Sequence, residues 1–350
     1  MSGPDFLPLR ALTDWALPSH GLRVETIDAH VGGQSLRLIL KGVPPLKGRT
    51  MVERLDYARN HFDHLRRSLL FEPRGHPEMV GCLLTPPQHR GSHCGAVFLQ
   101  RGGFSPMCGH GIIALTTILL ESGLLELKGP ATQLRIDTPA GTVRAYGQVE
   151  HDKVERVFFE NVPSRVVSAD QRVVVPGRGA LAYDLVYAGA LFALVEAEAL
   201  GVYTGAEGSV AAASAGEQLL KLLAGPVAEA VPDYPLFGVV LRDKAMRRRA
   251  GRADLRQVCV FADGGVDRSA GALALCARLA LLEHRQEIRE GTALTVEGIT
   301  GSTFKGRITG WDPDEKNGGV ICEVEGQAWI TGRHSFLIAA EDPFRNGFLL

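Results

Sequence analysis

Residues 112–123 read IIALTTILLESG, and residues 270–283 read AGALALCARLALLE. Both have helical composition, yet neither carries a polar face, and a helix that is apolar all round is buried on every side. Each follows a strand-like run and a tight turn: VFLQRGGFSPMCGHG (97–111) before the first, VCVFADGGVDRS (258–269) before the second. The two helices start about 160 residues apart (112 against 270), close to half of the 350-residue chain. That spacing predicts a duplicated α+β unit, each copy wrapping strands around one central helix.

Shorter segments fill in the halves. Runs at 24–27, 36–40, 96–99, 134–137, 156–160 and 172–175 read as strands by β-branched content or alternation. So do 237–241, 258–261, 293–296, 307–309 and 320–324. Residues 53–69 read as a surface helix and 216–223 as another. The expected division is an irregular extension over 1–21, a first α+β domain over 22–165 and a second over 166–334. Residues 335–350 are a candidate to complete the first.

Composition narrows the function. Hydrophobic residues make up 45% and charged ones 22%, ordinary for a globular chain with a large core. Lys+Arg 38 against Asp+Glu 39 leaves a net charge of −1, which excludes a general footprint for nucleic acid or an anionic membrane. Arg247, Arg248 and Arg249, flanked by Lys244 and Arg252, read as a solvated loop. No apolar run approaches the roughly 20 residues of a membrane helix. Asp5 and Asp14 stand where a secretory leader would be basic and apolar. Six cysteines in this length are too sparse for a disulfide scaffold. The chain reads as cytoplasmic and reduced, with its thiols free.

The chemistry concentrates at the two helix starts. In Pro106-Met107-Cys108-Gly109-His110-Gly111, a cysteine opening a buried helix sits at the positive end of the macrodipole, which favours thiolate. Free amides at such a start bind carboxylate or phosphate, and glycines let a ligand approach. The pattern points to a thiolate base beside an anion hole; a space-filling buried cysteine is the plain alternative. His110 is two positions on, and i,i+2 neighbours diverge on a helix. At the second start, Asp267 or Ser269 would serve as N-cap, and no nucleophile follows.

MCGHG, FEPRGHPEMVG, DTPAGTV, VFADGGVDRS, GSTFKG and the tail ITGRHSFLIAAEDPFRNGFLL together resemble the proline racemase superfamily. The resemblance runs from about Val24 to Leu350. It is nearest the trans-3-hydroxy-L-proline dehydratase branch, through FEPRGHPEM, HLRRSLLFEP and DPFRNGFLL. It implies an α+β fold of two pseudo-symmetric domains, each a curled, mostly antiparallel sheet around a buried helix, as in diaminopimelate epimerase. The active site would lie where the two helix starts meet. No metal and no organic cofactor is implied, the substrate is a small imino acid, and a homodimer is the family's assembly. By the resemblance Cys108 removes the Cα proton, the amides of Gly109 and His110 hold the carboxylate, and Asp267 contacts the ring nitrogen. Ser269, Gly271 and Ala272 complete the expected substrate contacts.

One departure decides the expected reaction. Racemases and epimerases continue DRS with Pro-Cys-Gly-Thr-Gly, and the dehydratases place threonine where the cysteine stands. This chain reads Ala270-Gly271-Ala272-Leu273-Ala274, so the second catalytic position is Gly271. Val231-Pro232, Ala188-Gly189 and Val31 depart from the family pattern too. Cys276 is rotated by about 140° from position 271 at 3.6 residues per turn and should face the core. Inversion at Cα needs acid and base on opposite faces, so a lone thiolate favours β-elimination, with loss of a 3-hydroxyl as water and formation of a pyrroline carboxylate. Ser269, Asp267 and His110 are the candidate acids. The alternatives are a racemase or hydroxyproline 2-epimerase with a second base elsewhere, and an inactive relative that binds an imino acid or a protein.

Other constellations carry less. His89-x3-His93-Cys94 has metal-ligand spacing but lacks a fourth ligand, and reads as a surface loop. Glu72 to His76 reads as a structural turn with a buried Glu–Arg pair.

Overall fold

A computed structural model of the chain describes residues 15–127, 129–151, 153–243, 253–313 and 318–349. Most of the expected N-terminal extension and the Arg247–Arg249 run lie outside the described residues. The first half contains β1 (Leu22–Val31), β2 (Gln34–Lys41), α1 (Met51–His61), α2 (Asp63–Leu70), β3 (Val80–Thr85), β4 (Cys94–Gln100) and β5 (Gly103–Ser105). Then come α3 (Gly109–Glu121), β6 (Ala131–Thr138), β7 (Gly141–Glu150) and β8 (Lys153–Glu160). The second half contains β9 (Arg165–Val175), β10 (Gly179–Tyr187), β11 (Leu191–Glu196), α4 (Ser209–Ala230), β12 (Leu236–Arg242) and β13 (Leu255–Phe261). It closes with α5 (Ala272–His284), β14 (Leu294–Glu297), β15 (Thr303–Trp311), β16 (Val320–Gly326) and β17 (Ala328–Ile338).

The two apolar segments form α3 and α5, and nearly every residue of each is buried. Helix α3 packs against β1, β2, β3, β7, β8 and β17, whereas α5 packs against β9, β10, β11, β15 and β16. The helices therefore sit in separate strand sets and touch one another at their first turns. Strand pairing is mixed but mostly antiparallel: β2–β3, β4–β6, β11–β12 and β13–β14 are the parallel ladders. Strands β8 and β16 pair antiparallel and join the two sets. The fold is α+β, as expected. No helix among the described residues is long and apolar enough to cross a membrane.

The sequence reading needs adjustment in four places. The helix expected over 53–69 is two, because the chain turns at Phe62 (φ −115°, ψ 10°) after a capping box between Thr50 and Glu53 starts α1. Helix α4 extends well beyond 216–223, since its flanking alanines carry helix propensity without periodicity. Strands β3, β5, β7, β10, β11 and β17 were not expected; β17, whose burial pattern is mostly exposed, lacks the alternation that marks a half-buried strand. Strand β17 pairs along its length with β1, so a division at 334/335 cuts through one strand.

Candidate active site

Two turns feed the meeting point of α3 and α5. Before α3, Ser105 Oγ donates to the Met107 carbonyl at 2.7 Å and fixes the entry. Cys108 is the N-cap, in extended backbone (φ −151°, ψ 108°), so its side chain does not follow the helical spiral. Sγ lies 3.4 Å from His110 Nδ1 and 3.6 Å from Nε2. The expected divergence of the two side chains fails for that reason: the i,i+2 rule presumes that both residues are helical.

On the other side β13 leads into the Asp267 turn, where the Asp267 amide donates to the Cys259 carbonyl at 2.9 Å. Asp267 Oδ1 accepts from the Ser269 amide at 2.8 Å and from its hydroxyl at 2.7 Å. Ser269 Oγ in turn accepts from the Gly271 amide at 3.1 Å. The N-cap of α5 is neither Asp267 nor Ser269 but Gly271, in the left-handed region (φ 72°, ψ 86°), where a residue without Cβ is at ease. Gln257, buried on β13, donates from Nε2 to the carbonyls of Ala270 at 2.9 Å and Gly271 at 3.3 Å, and so pins the turn.

Between the turns lies a narrow pocket with a cavity volume of about 30 Å³. Cys108, Gly109 and His110 line one side, and Asp267, Gly271, Ala272 and Leu273 the other. Phe192, Phe237 and Phe261 supply an aromatic wall, with edge contacts at centroid distances of 5.4 and 5.5 Å. Of the expected site residues only Ser269 is absent from the lining; it stands behind the Asp267 carboxylate and orients it. The first amides of each helix have no intrahelical partner and bracket the pocket from both sides.

The electrostatics correct one expectation. Burial pushes the Cys108 thiol well above its ordinary range, the nearby Asp267 charge adds to this, and the Gly111 amide only partly opposes it. Desolvation thus outweighs the helix start, and the sulfur rests as a thiol. Burial lowers His110 to about 4 and leaves a neutral imidazole. Burial lifts the Asp267 carboxyl to about 6, against the Ser269 donors and Arg268. Asp267, one of the candidate acids, lines the same pocket as Cys108 and can titrate there.

A second thiol, Cys259, also lines the pocket and is held protonated chiefly by burial. Neither it nor the aromatic wall was legible in the sequence. Cys276 faces the core, as its rotation requires, where Cys322 Sγ approaches its carbonyl at 3.8 Å.

Polar bridges cross beside the pocket. Arg268 pairs with Glu78 at 3.0 Å, and Gln34 joins the Glu78 carbonyl (2.6 Å) to the Arg268 amide (2.9 Å). The expected Glu72–Arg74 pair does not form. Arg74 instead binds Asp342 at 2.6 Å, and the Glu72 carbonyl accepts from Phe348 at 2.9 Å, because the C-terminal tail lies across this turn. His89 binds Asp137 at 3.1 Å in a loop, and no metal-binding cluster of His, Cys, Asp or Glu occurs among the described residues.

This fold, with a cysteine and an aspartate at two apposed helix starts, defines a class. The family described as proline racemase matches residues 26–349, and the chain belongs to it. Relatives named trans-3-hydroxy-L-proline dehydratase include one from Colwellia psychrerythraea, 36% identical and covering 94% of this chain and 93% of its own. The Homo sapiens protein of that name is 37% identical, covering 93% of this chain and 94% of its own. Among solved structures, a probable proline racemase from Agrobacterium radiobacter superposes with a TM-score of 0.87 at 30% identity, over 93% of this chain and 96% of that one. A hydroxyproline epimerase from Agrobacterium vitis, with bound trans-4-hydroxy-L-proline, gives 0.84 at 27% identity over 95% and 96%.

Proposed function

We propose that this protein is a hydro-lyase that dehydrates trans-3-hydroxy-L-proline to a pyrroline-2-carboxylate. The observation that carries the reading is the pairing of Cys108 and Asp267 across one pocket with no thiol at position 271. The substrate carboxylate lies against the helix-start amides of Gly109 and His110. Cys108 thiolate removes the Cα proton, the C–H electron pair forms the Cα–Cβ double bond, and the C3–O bond breaks. Asp267 gives its proton to the departing oxygen, which leaves as water, and the enamine tautomerises to the imine. A carboxyl that titrates near 6 suits this role better than that of a permanent counter-ion to the ring nitrogen, since an acid must hold and release a proton near neutral pH.

The active pair, thiolate with protonated carboxyl, carries the same net charge as the resting thiol with carboxylate. One proton passing from Sγ to Asp267 creates it without exchange with solvent. His110 stays neutral beside the sulfur and positions it.

Incubating the purified protein with trans-3-hydroxy-L-proline and trapping the imine with an aminobenzaldehyde tests the reading. Product that disappears with Cys108→Ala supports it; no product, or product independent of Cys108, removes it. Cys259 in the pocket wall favours one second reading, an epimerase that uses that thiol opposite Cys108. Growth of the D-form of proline or 4-hydroxyproline in deuterated water, with deuterium at Cα, would decide for it.

A further inference from the structure

The substrate assigned above carries two polar groups besides its carboxylate, the ring nitrogen and the 3-hydroxyl. Among the side chains that line the pocket, only those of Asp267 and Gln100 offer an acceptor oxygen. Gln100 ends β4 two positions after Phe98, and strand alternation puts both side chains on one face. The Phe98 ring packs at the first turn of α3, where a Cβ built on Gly111 would lie 2.5 Å from it. That face therefore points at the helix start that carries Cys108. The backbone of Gln100 is held in place: it pairs with Gly103 across the β4–β5 hairpin, and its carbonyl accepts from Arg66 at 2.8 Å. Its side-chain amide, in contrast, has no hydrogen-bond partner among the described residues. Gln100, Val80 and Phe261 also line a second cavity of about 10 Å³ beside Glu78. Cavities of about 30 and 10 Å³ hold little more than water, so a ligand joins them by parting the residues they share. The free amide stands at that join.

We propose that Gln100 is the partner of the ring nitrogen: its Oε1 accepts from the protonated N–H of the bound imino acid. The inference rests on the dehydration proposed above, which commits Asp267 to the 3-oxygen. In a proline ring the nitrogen and C3 are the two ring neighbours of Cα. With Cα at Cys108 and C3 turned to Asp267, the nitrogen points away from Asp267. Gln100, which reaches the pocket from the first half of the chain as Cys108 does, is the acceptor left on that side. His110 is not free for the contact, since it faces the Cys108 sulfur at 3.4 Å. The chemistry suits an amide better than a carboxylate. A protonated nitrogen withdraws electrons and acidifies Cα, and an amide oxygen holds that nitrogen without taking its proton.

Binding, not turnover, separates this from the dehydratase reading. Calorimetry on the unaltered protein compares L-proline with cyclopentanecarboxylate, which keeps the ring and the carboxylate but has a methylene in place of the nitrogen. Neither ligand has a 3-hydroxyl to lose. The unaltered protein should prefer L-proline. Gln100→Leu should cut the ratio of the two affinities by about tenfold or more, the size of one charge-assisted hydrogen bond. The ratio cancels whatever the substitution costs both ligands. Gln100→Glu returns an acceptor oxygen and should keep the ratio at or above that of the unaltered protein. Equal binding of the two ligands by the unaltered protein, a ratio unmoved by Gln100→Leu, or one lowered alike by both substitutions overturns the contact. Imine formed from trans-3-hydroxy-L-proline is read separately. A ratio that falls with Gln100→Leu while the unaltered protein forms no imine keeps the contact and removes the dehydratase reading; imine with an unmoved ratio does the reverse. Thermal melts verify that each variant is folded, and Gln100→Met replaces Gln100→Leu where the latter is not.

Discussion

A Cβ on Gly109 would lie 2.6 Å from the Cβ of Ala272, the first residue of the opposing helix. The starts of α3 and α5 are therefore in direct apposition, and the pocket exists because both helix starts are nearly bare at this point. Overpacking a filled core costs about 1–3 kcal/mol. Gly109→Ala should lower stability by that amount and widen the spacing of the two helices, and Gly109→Ala with Ala272→Gly should recover most of the loss. Denaturant titration of the single and double variants reads the coupling directly; additive losses would show that the contact is not shared.

Asp267 bears a stability cost for its chemistry. Its carboxyl moves from an ordinary 3.8 to about 6 in the fold. A raised acid is favoured while protonated, so its contribution is fully present below about 3.8 and is lost as pH climbs through about 6. At one pKa unit per roughly 1.4 kcal/mol, the burial of this carboxylate costs on the order of 1–3 kcal/mol at pH 7–8. Asp267→Asn should raise the melting temperature at pH 8, with the gain vanishing at pH 4. An unchanged melting temperature at pH 8 would contradict the burial penalty.

The pH dependence of turnover follows from the same two groups. Below about 6 both Cys108 and Asp267 hold protons and no base is available. Above it the proton is shared between them, so the share of thiolate with acid is constant until the thiol itself ionises, above its ordinary range. Initial rates should fall as pH drops through about 6 and stay flat from about 7 to 9. A rate that rises steadily across that interval would mean that free thiolate, not the shared proton, sets the rate.

The tail is a separate matter of assembly. Arg74 binds Asp342 at 2.6 Å, and Ser68 donates to the Arg345 carbonyl at 2.5 Å. The two segments nearest the dehydratase branch in sequence thus pack on one another, far apart in the chain. Asp342→Ala should expose the 339–349 segment to limited proteolysis and cost about 1–2 kcal/mol, since a half-buried ion pair loses one partner. Proteolysis no faster than that of the parent chain would assign the pair no structural weight.

The central helices were legible because a segment apolar on all sides has only one place to go, and the strands with β-branched alternation were legible for the same reason. What escaped was polar or small-residue chain made into strand by its neighbours, as in β7 and β17, whose pairing with β8 and β1 is set by tertiary context. At the site, Cys108 and Asp267 could be read from local motifs. Gln257, Cys259 and the three phenylalanines could not, since each looks like ordinary strand interior until β11, β12 and β13 are brought to α5. The geometry of Cys108 and His110 was misread because a cap residue was treated as helical, and the protonation of the sulfur because the dipole was weighed without the burial.

The account rests on Cys108 and Asp267 dividing one reaction. Proton NMR of trans-3-hydroxy-L-proline in deuterated water, with the unaltered protein and with Asp267→Asn, examines that division. The account predicts pyrroline formation by the first, and by the second a fall of at least about 10²-fold in both Cα–deuterium exchange and loss of water, since Asp267 takes the Cys108 proton before it gives one to the leaving oxygen. Undiminished water loss from Asp267→Asn, or no Cα exchange and no pyrroline from the unaltered protein, would contradict it.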